Sequence, residues 1–187
     1  MFEFTRLTGA GAAAALHALV FGEGERGVRA FYAPDAEREI HGVFDGDVLV
    51  SALSFFPVEV GGAACVYMAG VCTHPDYRGR GLFRRNFAQA KAATAYDARN
   101  LFCIPANDSL FGLYESVGLR KRTCASLVSL DGSGSGGGYA FDGDYERLYA
   151  LYLASGPDVR HPFPLFRACV DNFLAAGSAY YVQDGFA

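Results

Sequence analysis

The residues with the clearest capacity for chemistry lie between Thr73 and Phe83, in the stretch Thr-His-Pro-Asp-Tyr-Arg-Gly-Arg-Gly-Leu-Phe. The apolar run Cys65–Cys72 before it has strand character, and the residues after Gly81 have helical spacing. A strand that leads through a glycine-rich turn into a helix gathers unpaired backbone N–H groups at the positive end of the helix dipole. This arrangement predicts an anion site suited to a pyrophosphate.

The glycines and arginines of the turn support the same interpretation. Gly79 and Gly81 have no Cβ, so the backbone can approach a ligand closely. Arg78 and Arg80 bring positive charges to the same place. On this chemistry alone the stretch predicts a phosphate-binding turn, and the alternative is an ordinary glycine-containing loop with solvated arginines.

The spelling of the turn resembles the acyl-CoA-binding motif of the GNAT acetyltransferases, Arg/Gln-x-x-Gly-x-Gly/Ala. Arg78 and Gly81 stand at the first two fixed positions, whereas Phe83 stands at the third, where the family usually has Gly or Ala. We expect Phe83 to shift how the helix start meets a pyrophosphate without removing a backbone donor. The resemblance implies acetyl-CoA as cosubstrate, bound at this turn by Arg78, Gly79, Arg80, Gly81, Leu82 and Phe83.

A second motif runs from Asn107 to Tyr114, Asn-Asp-Ser-Leu-Phe-Gly-Leu-Tyr, and resembles the GNAT pattern Asn-x-x-Ala-x-x-Leu-Tyr with Leu110 in place of Ala. The resemblance implies that Asn107 lies beside the pantetheine arm of CoA and that Tyr114 protonates the leaving thiolate. Tyr114 has a suitable hydroxyl donor, one helical turn beyond Leu110 on the same face. The alternative is that Tyr114 is a core aromatic residue of an amphipathic helix.

The resemblance also implies backbone roles for the long strand that ends at Thr73. In the family, the pantetheine pairs with this strand through main-chain groups at positions that match Val71 and Thr73. A strand N–H polarises the thioester carbonyl and stabilises the oxyanion that forms when an amine attacks. A splay between this strand and Leu101–Pro105 opens the slot for the arm.

The sequence does not identify a general base. Glu59 and His74 are the nearest candidates, but they are better explained as a solvated edge residue and a strand-end residue. The remaining histidines have no motif around them: His17, His41 and His161. Cys72 and Cys103 flank the expected slot, so an acyl-cysteine intermediate is a less favoured alternative, since no activating partner adjoins either thiol in the motifs.

Composition narrows the class of protein. The chain has 187 residues, 51% of them hydrophobic and 19% charged, which is typical of a well-buried globular protein. A net charge of −4 argues against a nucleic-acid partner. No apolar run approaches a membrane span and no signal peptide is evident, so we expect a cytoplasmic protein with no membrane partner. The 5 cysteines lack metal-ligand spacing, and we expect no metal.

Hydrophobic periodicity and turn signals predict the element order β-α-α-β-β-β-α-β-α-β over residues 2 to 130. This order defines a mixed α/β sheet and is the order of the GNAT acyl-CoA acyltransferase fold. The predicted strands are Phe2–Arg6, Glu39–Phe44, Val48–Val58, the run ending at Thr73, Leu101–Pro105 and Thr123–Leu130. The predicted helices are Ala12–Val20, Arg26–Tyr32, one after Gly81 and one containing Leu110, Leu113, Tyr114 and Val117.

The chain divides by composition into a GNAT domain (1–130), a Gly/Ser linker (131–138) and a C-terminal extension (139–187) with two helices. The residue patterns of the two motifs most resemble those of the enhanced-intracellular-survival-type acetyltransferases, which carry a second, degenerate GNAT-like domain. We therefore expect the extension to be the truncated start of such a domain. The alternative is that Ala179–Gln183 folds back as the seventh strand of the first domain.

These features predict an acyl-CoA-dependent N-acyltransferase that transfers an acyl group, most simply acetyl, to an amine by direct attack. The alternative is a non-catalytic CoA-binding module that senses or regulates. The acceptor implied by the resemblance is an amine of a small molecule or peptide, and its identity has no signature in the sequence. The oligomeric state, including a homo-oligomer, is left open.

Overall fold

The computed structural model describes residues 1–121, 143–157 and 159–175. Its strands are Phe2–Leu7 (β1), Glu39–Asp45 (β2), Val48–Val60 (β3), Ala63–Thr73 (β4), Leu101–Cys103 (β5) and Val159–Arg160 (β6). Its helices are Gly11–Phe21 (α1), Glu25–Phe31 (α2), Leu82–Ala93 (α3), Phe111–Glu115 (α4), Tyr145–Ala154 (α5) and Phe163–Ala175 (α6).

The strands form a single mixed sheet in the order β1-β2-β3-β4-β5. Strands β1 to β4 are antiparallel neighbours, whereas β5 runs parallel to β4. Strand β6 pairs with the far end of β3, where Glu59 lies opposite Arg160, beyond the last residue pair of β2 and β3 at Glu39 and Phe55. This arrangement confirms the predicted mixed α/β fold class.

The predicted strands and helices within residues 2 to 121 are all present, with small shifts at their ends. Strand β5 ends at Cys103 rather than at Pro105, in keeping with the missing N–H of proline. Strand β6 has only two residues, too few for a periodic signal, and was not predicted. The predicted strands Thr123–Leu130 and Ala179–Gln183 and the linker 131–138 lie outside the described residues.

Helices cover both faces of the sheet, so β3 is buried along most of its length. On the face covered by α3 and α4, which we call the α3 face, Phe55 and Met68 pack with Phe83. On the opposite face, covered by α1, α2 and α6 and called the α1 face, Phe56 packs with Leu165. Because side chains alternate along a strand, the adjacent residues Phe55 and Phe56 enter different cores.

A buried polar cluster joins the end of α3 to β2. Glu39 is 1% exposed, and its carboxylate accepts hydrogen bonds from Ala95 N–H at 3.1 Å and His41 Nε2 at 3.2 Å. Arg6 places a guanidinium nitrogen 2.9 Å from the same carboxylate. Asn86, buried on α3, donates to the carbonyl of His41 at 3.1 Å. These partners offset the cost of burying a charge.

The C-terminal segment packs on the α1 face. Phe166 of α6 stacks on Tyr152 of α5 with ring centroids 4.8 Å apart, and α6 also packs against α2. Leu165 reaches Phe56 of β3. The α6 helix therefore covers the part of the sheet that lies beyond the end of β2.

Candidate active site

The centre of the candidate site is the point where β4 and β5 separate. The two strands pair from Val66 opposite Leu101 to Met68 opposite Cys103. Strand β5 then ends, while β4 continues to Thr73. From Ala69 to Thr73 the β5 side of β4 has no partner strand among the described residues, so the predicted splay is present in the structure.

A β-bulge in β4 coincides with this separation. Ala52 of β3 pairs with Cys72, but Ser54 pairs with Ala69, so β4 carries one extra residue between these pairs. Gly70 in the bulge has φ +60°, a left-handed conformation that L side chains rarely adopt. A Cβ on Gly70 would lie 2.9 Å from Cζ of Phe31. Both the backbone and the packing therefore require glycine here.

The glycine-rich turn connects β4 to α3 as the sequence predicts. Gly81 is the N-cap residue of α3, with φ +69° and no capping side chain. A Cβ on Gly81 would meet no atom within 4 Å, so the space above the first turn of α3 is open. The N–H groups at this helix start are consequently available to an anion.

The two arginines of the turn are exposed, and each is held by a backbone carbonyl. Arg78 Nε donates to the carbonyl oxygen of Thr73 at 3.3 Å. Arg80 donates to the carbonyl oxygen of Asp76 at 3.0 Å, and its guanidinium lies 4.7 Å from the ring centroid of Tyr77. The local hydrogen bonds keep both charges beside the open helix start.

The first residues of α3 turn their side chains into the core. Leu82 is 2% exposed and Phe83 is 8% exposed. The ring of Phe83 meets that of Tyr114 edge to face, with centroids 5.8 Å apart. The large residue at the third motif position thus packs inward on the α3 face, and its backbone still belongs to the helix start.

Tyr114 lies on α4 against the splayed strands. It is 8% exposed and packs in the core of the α3 face. Burial, with smaller contributions from Cys103 and Tyr67, raises the pKa of Tyr114 to about 12. Its hydroxyl therefore stays protonated at neutral pH, as a proton donor must.

Asn107 begins the segment that leads to Tyr114. Its side-chain oxygen accepts hydrogen bonds from Ser109 N–H at 3.1 Å and from the Ser109 hydroxyl at 2.5 Å. Asn107 therefore caps the 3₁₀ turn Asp108–Leu110 that precedes α4. Its amide N–H₂ group makes no hydrogen bond to a described residue.

Glu59 and His74, the candidates for a general base in the sequence, are poorly placed for that role in the structure. Glu59 lies at the outer end of β3, where its carboxylate is 3.6 Å from Arg160 of β6. His74 caps the turn that follows β4, because its Nδ1 accepts from Asp76 N–H at 3.3 Å. Neither side chain lies at the strand separation.

The thiols beside the slot are not activated. Burial raises the pKa of Cys72 to about 12 and that of Cys103 to about 11. A thiolate is the nucleophilic form, so both groups are poor nucleophiles at neutral pH. This argues against the acyl-cysteine alternative.

Sequence reasoning missed a polar group on the α1 face of the bulge. His17 of α1 is 3% exposed, and its Nδ1 lies 3.7 Å from the Cβ position of Gly70. His17 Nε2 lies 3.3 Å from a carboxylate oxygen of Glu23. In the sequence, His17 and Glu23 are six residues apart on either side of a helix end. This spacing matches no motif, so it does not indicate that the two side chains meet.

The chain belongs to the GNAT acetyltransferase family. Residues 8–120, more than half of the chain, match the family model described as Acetyltransferase (GNAT) domain. A comparison with curated proteins found no match. The predicted family and fold are thus confirmed, whereas the enhanced-intracellular-survival-type subgroup stays a prediction.

Solved structures share this fold at low sequence identity. A Trypanosoma brucei acetyltransferase has a TM-score of 0.53 and 17% identity, over 70% of this chain and 100% of the other. AAC(6')-Iy, solved with a bisubstrate analogue, has a TM-score of 0.57 and 14% identity, over 70% of this chain and 99% of the other. AAC(6')-IG from Acinetobacter haemolyticus has a TM-score of 0.54 and 13% identity, over 69% and 98%. At these identities the likeness concerns the fold alone.

The described residues contain neither a membrane-spanning helix nor a cluster of metal ligands. Among the helices of the described residues, none combines the length and the apolar character needed to cross a membrane. The described part of the chain also has no group of three or more His, Cys, Asp or Glu residues that could hold a metal ion.

Proposed function

We propose that this protein transfers an acetyl group from acetyl-CoA to an amine by direct attack of the amine on the thioester. The observation that carries the proposal is the position of Tyr114, which packs in one core with Met68 and Val71 of β4 and Cys103 of β5, where these strands separate. Membership of the GNAT family supplies the reaction class. AAC(6')-Iy, which shares the fold, was solved with the bisubstrate analogue CoA-S-monomethyl-acetylneamine, which supports CoA as the cosubstrate.

The pyrophosphate of CoA would bind at the start of α3. Gly81 provides no capping side chain, so the first N–H groups of the helix, at Leu82 and Phe83, can donate to phosphate oxygens. Gly79 and Gly81 both have left-handed φ angles, +74° and +69°, which shape the turn around the anion. Arg78 and Arg80 add positive charge at its rim.

The pantetheine arm would lie in the gap beside β4. Main-chain groups of Val71 and Thr73 would pair with its amides, as those of a neighbouring strand do. Asn107 would donate from its free amide N–H₂ group at the opposite wall. This path places the thioester at the bulge, between the end of β5 and residues 69–71.

The reaction would proceed at the bulge. The amine attacks the thioester carbonyl carbon, and a β4 N–H stabilises the oxyanion that forms. The C–S bond then breaks, and Tyr114 gives its hydroxyl proton to the CoA thiolate. The nitrogen loses its extra proton to solvent, and Tyr114 takes up a proton from solvent, so the products are the amide and free CoA. The raised pKa of Tyr114 keeps its hydroxyl protonated at neutral pH, so the donor is in its acid form when the C–S bond breaks.

Turnover of acetyl-CoA with a panel of small-molecule and peptide amines tests the proposal. We expect Tyr114→Phe to lower kcat by about 10²-fold while leaving the calorimetric Kd for acetyl-CoA nearly unchanged. Tyr96→Phe is the matched control, because the pKa of Tyr96 is also raised to about 12, yet its hydroxyl contacts Glu37 on the surface. Equal rates for Tyr114→Phe and wild type would exclude the acid role. Tight binding of acetyl-CoA without turnover of any amine would instead indicate a CoA-binding sensor.

We further propose the subgroup and the domain division that the sequence predicts. The family match ends at residue 120, which supports placing the GNAT domain within 1–130 and a separate extension in 139–187. Limited proteolysis of the whole chain tests this division. Cleavage confined to 131–138 supports the division, whereas cleavage within 1–130 or 139–175 instead contradicts it. The C-terminal fragment should stay bound after the cut, because β6 pairs with β3 and α6 packs on its core.

A further inference from the structure

A buried imidazole and the carboxylate of a partly exposed glutamate form a pair on the α1 face of the sheet. His17 Nε2 lies 3.3 Å from the Glu23 carboxylate, and His17 Nδ1 lies 3.4 Å from the hydroxyl of Tyr32. The contact with Glu23 is close but is not aligned as a hydrogen bond, and neither atom has another hydrogen-bond partner among the described residues. Buried side-chain nitrogen and oxygen atoms without a hydrogen-bond partner are uncommon in native proteins and call for an explanation.

The imidazole of the pair lies next to the Gly70 bulge of β4. His17 Nδ1 is 3.7 Å from the Cβ position of Gly70, and the only nearer side chain at that position is Phe31. Tyr114 packs on the other face of the sheet, in the core that contains Met68 and Phe83. The imidazole and the phenol therefore flank the separation of β4 and β5 from opposite faces.

We propose that His17 is the general base of the acyl transfer, with Glu23 as the residue that positions its imidazole. The inference rests on the proposed function, since it needs the thioester to lie at the Gly70 bulge. Phe31, which is half-buried, is the side chain that an acceptor amine has to displace to reach His17 Nδ1, directly or through one water molecule.

The surroundings of His17 favour the neutral, proton-accepting form. Burial lowers the pKa of His17, and the Glu23 carboxylate opposes that shift. A carboxylate at Nε2 favours the tautomer with its proton on Nε2, so the lone pair is on Nδ1, where it accepts from the Tyr32 hydroxyl at 3.4 Å. The amine or the water molecule has to take the place of that hydrogen bond. The other polar groups nearby are the hydroxyl of Tyr32, the guanidinium of Arg38 against the Tyr32 ring, and the protonated thiol of Cys72.

The proposed step balances with Tyr114 on the other face. The amine nitrogen forms a C–N bond to the thioester carbon, and its proton passes to His17 Nδ1, which becomes imidazolium. The C–S bond breaks with its electron pair on sulfur, and the thiolate takes the proton of Tyr114. The His17 imidazolium then loses its proton to water, and the Tyr114 phenolate takes a proton from water. The enzyme returns to its starting state, and the products are the amide and free CoA.

The pH dependence of kcat/KM for one acceptor amine, measured for wild type, Glu23→Gln and His17→Asn, tests the proposal. Removal of the Glu23 charge lowers the pKa of His17 further, so we expect the acidic limb of the Glu23→Gln profile to move to lower pH. We expect His17→Asn to lower kcat/KM by about 10²-fold at neutral pH and to leave the Kd for acetyl-CoA nearly unchanged. Comparison on the same acceptor cancels the ionisation of the amine itself.

His41→Asn is the matched control, because His41 also forms a buried pair with a carboxylate, that of Glu39, but on the α3 face and away from the bulge. It should lower stability without moving the acidic limb. If Glu23→Gln leaves the limb in place and His17→Asn keeps kcat/KM within about twofold of wild type, His17 is not the base while the acyl transfer stands. If wild type binds acetyl-CoA but acetylates no amine, the proposed function fails and this inference fails with it. Should His17→Asn not fold, the Glu23→Gln profile decides.

Discussion

Substitution of Gly70 by alanine tests the bulge that organises the site. Alanine at φ +60° costs about 1–2 kcal/mol because Cβ approaches the following carbonyl. The new Cβ would also lie 2.9 Å from Cζ and 3.0 Å from Cε1 of Phe31. The ring of Phe31 packs against His17, Tyr32 and Phe56, with centroids 4.8, 4.9 and 5.7 Å away, so moving it aside breaks these ring contacts. Overpacking of this kind adds about 1–3 kcal/mol.

We therefore expect Gly70→Ala to lower the free energy of unfolding by about 2–5 kcal/mol, the sum of both effects. Gly46→Ala separates the two effects. Gly46 has φ +59°, nearly the same as Gly70, but a Cβ there would meet nothing within 4 Å. Its substitution should cost only the backbone contribution of about 1–2 kcal/mol.

Urea unfolding followed by circular dichroism measures both variants against wild type. A Gly70→Ala protein that also carries Phe31→Leu should recover part of the packing cost, because the shorter side chain leaves the Cβ position. If Gly70→Ala is no more destabilising than Gly46→Ala, the close contact with Phe31 is not a real constraint on the bulge, and the reasoning about this part of the site is wrong.

Three further predictions concern the cosubstrate turn, the buried acid and the thiols. Gly81→Val should weaken acetyl-CoA binding in calorimetry far more than Arg80→Ala, because a side chain at Gly81 obstructs the open helix start whereas the charge of Arg80 is exposed and screened. Equal losses of affinity would contradict the binding of the pyrophosphate by backbone N–H groups. Burial raises the pKa of Glu39, but hydrogen bonds from Thr94, Ala95 and His41 and the charge of Arg6 outweigh it and leave that pKa lowered. The resulting stability is present above the ordinary carboxyl pKa and is lost as pH falls through the folded value, so the deficit of Glu39→Gln in urea unfolding should be larger at neutral than at acid pH. Finally, Cys72 should resist alkylation in the native protein and carry no acetyl group after incubation with acetyl-CoA, which mass spectrometry checks.

The sequence predicts the scaffold well because the relevant signals are local. Asp45-Gly46 and Gly61-Gly62 mark the two hairpins that join β2, β3 and β4, and alternating apolar residues define the strands between them. Gly118, two residues beyond the C-cap Ser116 of α4, has φ +90° and donates to the carbonyl oxygen of Glu115 at 3.0 Å, as glycine after a helix end commonly does. Each of these features depends on a few neighbouring residues.

The bulge and the imidazole pair could not be predicted in the same way. A lone glycine in a strand, as in Ala69-Gly70-Val71, indicates a bulge or a close backbone approach but does not say which. The contact of His17 with Glu23 and with Gly70 depends on how α1 packs across the sheet. The register between a helix and a sheet is a tertiary property, so no spacing within the sequence encodes it.

The C-terminal segment limits where an acceptor can approach. Tyr67 and Phe102, neighbours of the slot, stack with centroids 5.3 Å apart in the core that also contains Leu165 and Cys169 of α6. Leu165 and Cys169 of α6 therefore pack against one side of these half-buried rings. The α1 face then offers access to the bulge beside Phe31, next to the short connection between α1 and α2. If the acyl transfer occurs at the bulge, residues 22–24 and the ring of Phe31 are the parts of the chain best placed to select the amine.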